Sequence, residues 1–245
     1  MKHNLIQTIT WKFQDVSSDY PELKDYSLVK SSGKQGHMEK IQKRLLRLLH
    51  KKSYRYSENP LFTLSSGRQS PFYIDCKPTM HDPQGKALIG EIVYNKIKNS
   101  GIAGVGGLTM GADPIAISTS LISYQKGKGI KSFSIRKAAK GHGTARRIEG
   151  EMQPGEKVVI VDDVVTSGSS VIEAIKAAED YGLRVVKVII LVDREEEGGR
   201  QKIEALVPNV EPIFTVSDLK RFESDGKNSP ARSLSRPAQP AHPTM

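Results

Sequence analysis

Between residues 158 and 170 the chain reads VVIVDDVVTSGSS. Four aliphatic residues run into two adjacent carboxylates, Asp162 and Asp163, and then into a loop of hydroxyls around one glycine. In open α/β sheets ligands bind beyond the carboxyl ends of the strands, so the acid pair stands where a ligand would lie. Thr166, Ser167, Ser169 and Ser170 offer hydroxyl donors to phosphate oxygens. The turn into the next helix adds backbone amides and partial positive charge, and Gly168 permits the tight turn.

Carboxylates repel phosphate, so the acid pair must face something else. Sugar hydroxyls and a magnesium ion both suit it. A ligand with a phosphate at one end, a ribose in the middle and a magnesium-bound pyrophosphate beyond it satisfies every group; phosphoribosyl pyrophosphate is such a ligand. A solvated turn or a helix cap would account for Asp-Asp alone, but not for strand, acid pair and hydroxyl loop together. The stretch also lacks the Gly-Lys-Ser/Thr of a P-loop and the GxGxxG of a dinucleotide fold.

A second cluster is RKAAKGHG, which supplies Arg136, Lys137, Lys140 and His142 between Arg136 and Gly143. Gly141 and Gly143 flank the histidine, so the segment can move. Basic loops are commonly solvated surface. Here cations beside a departing pyrophosphate would stabilise the transition state more than the ground state.

Strand and helix patterns alternate around these clusters. Strands are expected at 72–75, 101–107, 130–136, 157–164 and 184–194, and helices at 83–100, 113–127 and 169–182, with EPIFTVSDL (211–219) closing the domain. Continuous aliphatic strands separated by helices predict an α/β fold, with a mostly parallel central sheet covered on both faces.

VVIVDDVVTSGSS resembles the phosphoribosyl pyrophosphate signature of the type I phosphoribosyltransferases. FTLSSGRQSPFYID (62–75), GLTMGADPIA (107–116) and RKAAKGHGTARRIEG (136–150) are similar to orotate phosphoribosyltransferase in order and spacing. The likeness covers about residues 40–220. It implies the type I phosphoribosyltransferase fold, with a small hood subdomain over the base. It implies magnesium as cofactor, held mainly through pyrophosphate and ribose with Asp162 and Asp163 nearby; no residue is assigned as a direct ligand. It assigns Arg136, Lys137, Lys140 and His142 to pyrophosphate, and Asp162 and Asp163 to the ribose and its developing charge. Residues Val164, Val165, Thr166, Ser167, Gly168, Ser169 and Ser170 then bind the remainder of phosphoribosyl pyrophosphate, with the 5′-phosphate at 166–170. Lys140, His142, Asp162 and Asp163 are the expected catalytic group. Thr166, Arg194, Tyr73 and Ile74 are expected at orotate. Arg194 would fork onto its carboxylate; taken alone, an arginine after a strand is more often a surface ion pair, for instance with Glu195 or Glu196. The resemblance further implies a homodimer in which loop 136–143 reaches the neighbouring subunit's site. One branch of the family has lysine where this chain has Ser65 and Gly111, so those two ligand roles are not transferred.

Two other functions share parts of this pattern. A phosphoribosyltransferase for another base would keep the fold and the acid pair. A non-catalytic nucleotide-sensing regulator would keep the fold. The hood segment and KGHG loop oppose the first, and the intact acid pair opposes the second.

Bulk properties bound the remainder. The net charge is +10, but the basic residues form no stripe and have no interleaved aromatics. Anionic small molecules explain the charge, and neither nucleic acid nor membrane is an expected partner. No apolar run approaches the roughly 18 residues of a membrane span, and MKHNLIQTIT has no hydrophobic signal core. The single cysteine, Cys76, leaves no internal disulfide and suits a reducing compartment, so the expected location is cytoplasmic. Residues 1–37 read as a weakly ordered extension, 38–222 as the phosphoribosyltransferase-like domain, and 223–245 as a disordered Ser/Pro-rich tail.

Overall fold

The computed structural model describes residues 34–57, 62–63, 69–137 and 147–227. The chain divides into two units, Met1–Lys40 and Ile41–Met245. The described part of the first is the opening of α1 (Lys34–Lys52). That helix starts four residues ahead of Met38, the expected domain boundary. In the second unit, Ile41, Leu45 and Leu49 are its buried residues, the i, i+4, i+8 stripe of a helix with one face in the core.

Two short hairpins follow. β1 (Tyr54–Tyr56) pairs antiparallel with β4 (Phe72–Ile74), and β2 (Phe62–Thr63) with β3 (Gln69–Ser70). After α2 (Lys77–Met80), Asp82 starts α3 (Pro83–Ile97) by accepting from the amides of Gln84 (2.9 Å) and Gly85 (3.0 Å). With Pro83 in the first turn, this is a strong start signal.

The main sheet has six strands: β5 (Gly104–Leu108), β6 (Lys131–Ile135), β7 (Ile148–Glu149), β8 (Lys157–Val165), β9 (Arg184–Asp193) and β10 (Val210–Thr215). Their order is β10-β9-β8-β5-β6-β7, parallel except for β7 at the edge. Val158–Val161 and Val188–Val192 are buried throughout, as strands covered on both faces require. The described helices α4 (Asp113–Gln125), α5 (Ser169–Asp180), α6 (Gly199–Glu204) and α7 (Val216–Lys227) complete the fold.

From β5 through α4 the chain moves to β6; from β8 through α5 it moves the opposite way, to β9. Right-handed crossovers therefore place α4 and α5 on opposite faces. The direction reverses between β5 and β8, so the ligand crevice must open there. On the α5 side, Val171, Ala174, Ile175 and Ala178 pack in one cluster with Ile160, Val188 and Ile190.

One boundary needs correction. The disordered tail was expected from 223, yet α7 continues to Lys227. Asp218 nucleates that helix by accepting from the Thr215 amide at 2.8 Å, and Val216 and Leu219 are buried at its start. A helix so capped propagates through polar residues that carry no apolar pattern. The rest of the expected extension and tail lies outside the described residues. No helix among the described residues is long and apolar enough to cross a membrane.

Candidate active site

Strand pairing itself opens the site. β5 pairs with β8 only from Gly104↔Val158 to Gly106↔Ile160, whereas β9 pairs with β8 as far as Val165↔Asp193. Past Ile160, one edge of β8 is released as the β5 segment turns away into α4. Asp162 and Asp163 stand on that released stretch.

The turn leaving β5 lies directly against them. A Cβ built on Gly111 would stand 2.6 Å from Asp163 Oδ1 and 2.8 Å from Asp162 Oδ1. The place where a related branch has lysine is here occupied by the two carboxylates themselves. Any side chain at 111 would have to displace them.

Asp162 is only 7% exposed. Its Oδ1 accepts from the Asp163 amide at 3.0 Å, and Asp163 Oδ1 accepts from the Val164 amide at 2.9 Å. Burial, reinforced by the neighbouring charge of Asp163, pushes the Asp162 carboxyl up to about 7. Burial likewise raises Asp163. Two cations work against these shifts: Lys137 lowers Asp162 and Lys77 lowers Asp163. Lys77 follows the hood strand and is held by Asp75 at 3.3 Å. The crevice floor is therefore a partly desolvated acid pair suited to hydroxyl donors and to a cation.

Beyond it, Asp162 and residues 164–171 line a polar pocket of 180 Å³. Gly168 has φ 79° and precedes α5, whose first turn has no side-chain cap. The uncapped amides and the hydroxyls of Ser169 and Ser170 face an anion-sized space at a helix N-terminus. The loop is supported from behind by α6. A Cβ on Gly199 would lie 2.2 Å from the Thr166 carbonyl oxygen and 2.9 Å from the Gly168 nitrogen. Only glycine permits that approach. The Gly198–Gly199 pair was the sequence signal for it.

Where β9 ends beside this loop, the Arg194 amide donates to the Val165 carbonyl at 2.9 Å, which fixes Arg194 beside Thr166. The guanidinium lies 5.1 Å from the centre of the Phe72 ring, and Lys220 Nζ lies 4.3 Å from the same ring. Phe72 thus joins the hood to the rim. Its neighbours in β4 are Tyr73, 40% exposed and stacked on Phe62 at 5.7 Å, and buried Ile74. Of the four residues expected at the base, Arg194 lies beside Thr166 and against Phe72, and Tyr73 and Ile74 follow Phe72 in β4. Arg194 does pair with Glu196, but it is buried, not a surface residue.

The basic loop springs from the same rim, since β6 runs parallel to β8 through β5. The Arg136 amide donates to the Arg147 carbonyl at 2.8 Å, and the Arg136 side chain is held by Glu149 at 2.8 Å. Lys137 is exposed. Lys140 and His142 lie outside the described residues. Sequence reading missed Lys77 and Gly199; it named Gly111 only as a departure from one family branch and Glu196 only as an alternative ion-pair partner of Arg194. Of the two it missed, only Gly199, in its glycine pair, carried a local signal.

A polar loop at a helix N-terminus, an acid pair at the switch point and the basic residues Arg136 and Lys137 on one rim match the arrangement expected of a phosphoribosyltransferase. Residues 116–216 match the phosphoribosyl transferase domain family. Orotate phosphoribosyltransferase of Aquifex aeolicus is 45% identical over 176 residues, covering 72% of this chain and 96% of its own. The enzyme of that name from Bradyrhizobium diazoefficiens is 42% identical, over 62% of this chain and 82% of its own. Among solved structures, Mycobacterium tuberculosis orotate phosphoribosyltransferase in complex with 5-phospho-α-D-ribosyl 1-diphosphate superposes with a TM-score of 0.59 at 30% identity. That match covers 74% of this chain and 99% of the other. This chain belongs to the orotate phosphoribosyltransferase family.

Proposed function

We infer that the protein transfers the ribose 5-phosphate group of phosphoribosyl pyrophosphate to orotate, giving orotidine 5′-monophosphate and pyrophosphate. This is a step in making pyrimidine nucleotides. The observation that carries the inference is the released stretch of β8, with its acid pair close to a polar helix-N-terminal pocket and a buried arginine.

The phosphate pocket holds the 5′-phosphate, and Asp162 and Asp163 accept from the ribose hydroxyls. The C1′–oxygen bond to pyrophosphate breaks, the bond from orotate N1 to C1′ forms, and the N1 proton is taken up by the released pyrophosphate. Between those events C1′ carries cationic character, which the adjacent carboxylates stabilise. Arg136, Lys137, Lys140 and His142 take up the charge that grows on pyrophosphate. Closure of their loop excludes water from the ribosyl cation. Arg194 and Thr166 hold the base, with the backbone of Tyr73 and Ile74 covering it.

Magnesium fits this site. Two adjacent carboxylates, one buried and one partly buried, both with raised proton affinity, favour a cation. Among the described residues no group of three His, Cys, Asp or Glu could cage a metal, and magnesium is usually held by one or two carboxylates together with substrate phosphates. When bound, it neutralises pyrophosphate and so improves the leaving group.

A homodimer belongs to this proposal. Ile117, Leu121 and Tyr124 are exposed along one side of α4 at helical spacing, an apolar strip suited to a second copy. A cytoplasmic location fits a lone, buried cysteine.

Chelation tests the metal. Excess EDTA should stop the loss of orotate absorbance in a reaction containing phosphoribosyl pyrophosphate, and added magnesium should restore it. Continued turnover in EDTA would remove magnesium from the mechanism.

A further inference from the structure

Arg194 has two hydrogen-bonding edges. Glu196 occupies one of them: Nε donates to Oε2 at 3.2 Å and Nη2 to Oε1 at 3.4 Å. Among the described residues nothing accepts from Nη1. The end of the fork, formed by Nη1 and the second hydrogen of Nη2, is left for another acceptor. The Arg194 side chain is 5% exposed and that of Glu196 18%, so the pair is largely withdrawn from water. Packing against Phe72 already restricts the guanidinium, and a bidentate carboxylate fixes both its plane and its direction.

The backbone around Glu196 is committed to placing it. Glu195 and Glu197, on either side, both have positive φ, 57° and 53°, a region side-chain-bearing residues seldom occupy. The Glu195 amide donates to Asp193 Oδ1 at 2.8 Å, and the Glu195 carboxylate accepts from the Ser217 amide at 3.0 Å. Arg200 reaches back to Asp193 at 3.6 Å. A loop tied at several points while two residues hold unfavourable torsions is over-determined, as at sites where position matters.

We propose that Glu196 is a positioning residue for base recognition: it clamps the Nε–Nη2 edge of Arg194 so that the Nη1–Nη2 end of the fork meets the carboxylate of the incoming base. The proposal rests on the assignment of Arg194 to the orotate carboxylate. Glu196 touches neither substrate. Its effect falls on base binding and on discrimination between a carboxylated pyrimidine and one without the carboxylate.

The test uses the full-length Glu196→Gln and Glu196→Ala variants beside Arg194→Gln. Gln keeps the size but loses the second acceptor, and loss of one charge-assisted hydrogen bond predicts a rise in orotate KM of about tenfold. The alanine variant should rise further. The KM for phosphoribosyl pyrophosphate and the kcat should stay near those of the parent, the melting temperature should fall because a buried guanidinium loses its partner, and the preference for orotate over uracil should narrow. A fall in orotate KM would mean that Glu196 competes with the substrate carboxylate, and would overturn the proposal. So would a joint rise of both KM values, since that describes a loosened loop. If Arg194→Gln leaves orotate KM unchanged, the base assignment fails. If it raises orotate KM while Glu196→Gln does not, the assignment stands and the positioning role falls.

Discussion

Replacing Lys140 with alanine lowers kcat by about two to three orders of magnitude and leaves the melting temperature at the parent value. The magnitude follows from losing one preorganised charge opposite a charge that develops in the transition state. Lys140 sits between Lys137 and His142 in a segment rooted on the β6–β7 edge. Lys137 already lowers the proton affinity of Asp162, so the base of this loop projects positive potential into the crevice. The loss should appear in kcat and kcat/KM together, because the contact forms as pyrophosphate leaves. A circular-dichroism melt and steady-state kinetics on the same preparation check it. Parent-like turnover would sink the loop assignment.

The second large effect runs in opposite directions on activity and stability. Asp162 has a folded-state carboxyl raised from 3.8 to about 7, chiefly by burial. A raised acid favours folding only while protonated. Its ionisation subtracts stability as pH climbs from the unfolded value towards the folded one, and the full cost remains above that. Asp162→Asn removes the cost. Near pH 8 the variant should gain a few kcal/mol, or several degrees in melting temperature, and below about pH 4 it should gain nothing. Its kcat/KM should fall about 100-fold, because a neutral amide does not stabilise a ribosyl cation. In the parent, kcat/KM for phosphoribosyl pyrophosphate should rise with pH through about 7 as Asp162 ionises; the variant should lose that limb. A variant both inactive and less stable would show that Asp162 serves the fold, not the ligand.

Together these variants test the shared loop. If the loop of one subunit serves the site of the other, a mixture of Lys140→Ala and Asp162→Asn subunits forms hybrid dimers. Each hybrid has one intact site, so random exchange should recover roughly a quarter of parent activity. No recovery on subunit exchange would mean that each loop closes over its own site.

Much of this was legible before the fold was known. β8, α5 and β9 are written in continuous aliphatic runs and a local amphipathic period, and the phosphate loop is one contiguous segment. Signals of that kind survive in one dimension. β1, β2, β3 and β7 have two or three residues each, too few for a period of two to register. Lys34–His37, though helical, opens with residues of poor apolar pattern that follow the rest of α1. Gly111 and Gly199 matter because other backbone or carboxylates come within van der Waals distance, and those partners lie 51 and 33 residues away in Asp162 and Thr166. Lys77 acts on Asp163 through space in the same way. Arg194 was the mixed case: the sequence left open a surface ion pair or a ligand fork. The fold shows a pair with Glu196 that is buried and leaves half the fork unused.

The most direct measurement is a base panel: enzyme, phosphoribosyl pyrophosphate and magnesium with orotate, and in parallel with uracil, adenine and hypoxanthine. Ultraviolet absorbance follows the pyrimidines and pyrophosphate release follows all four. The account predicts magnesium-dependent consumption of orotate with stoichiometric pyrophosphate, and no measurable turnover of the other three. Preferential turnover of uracil or a purine would contradict the assignment of Arg194 and the hood to a carboxylated base. Well-folded protein inactive on every base would contradict the catalytic account as a whole.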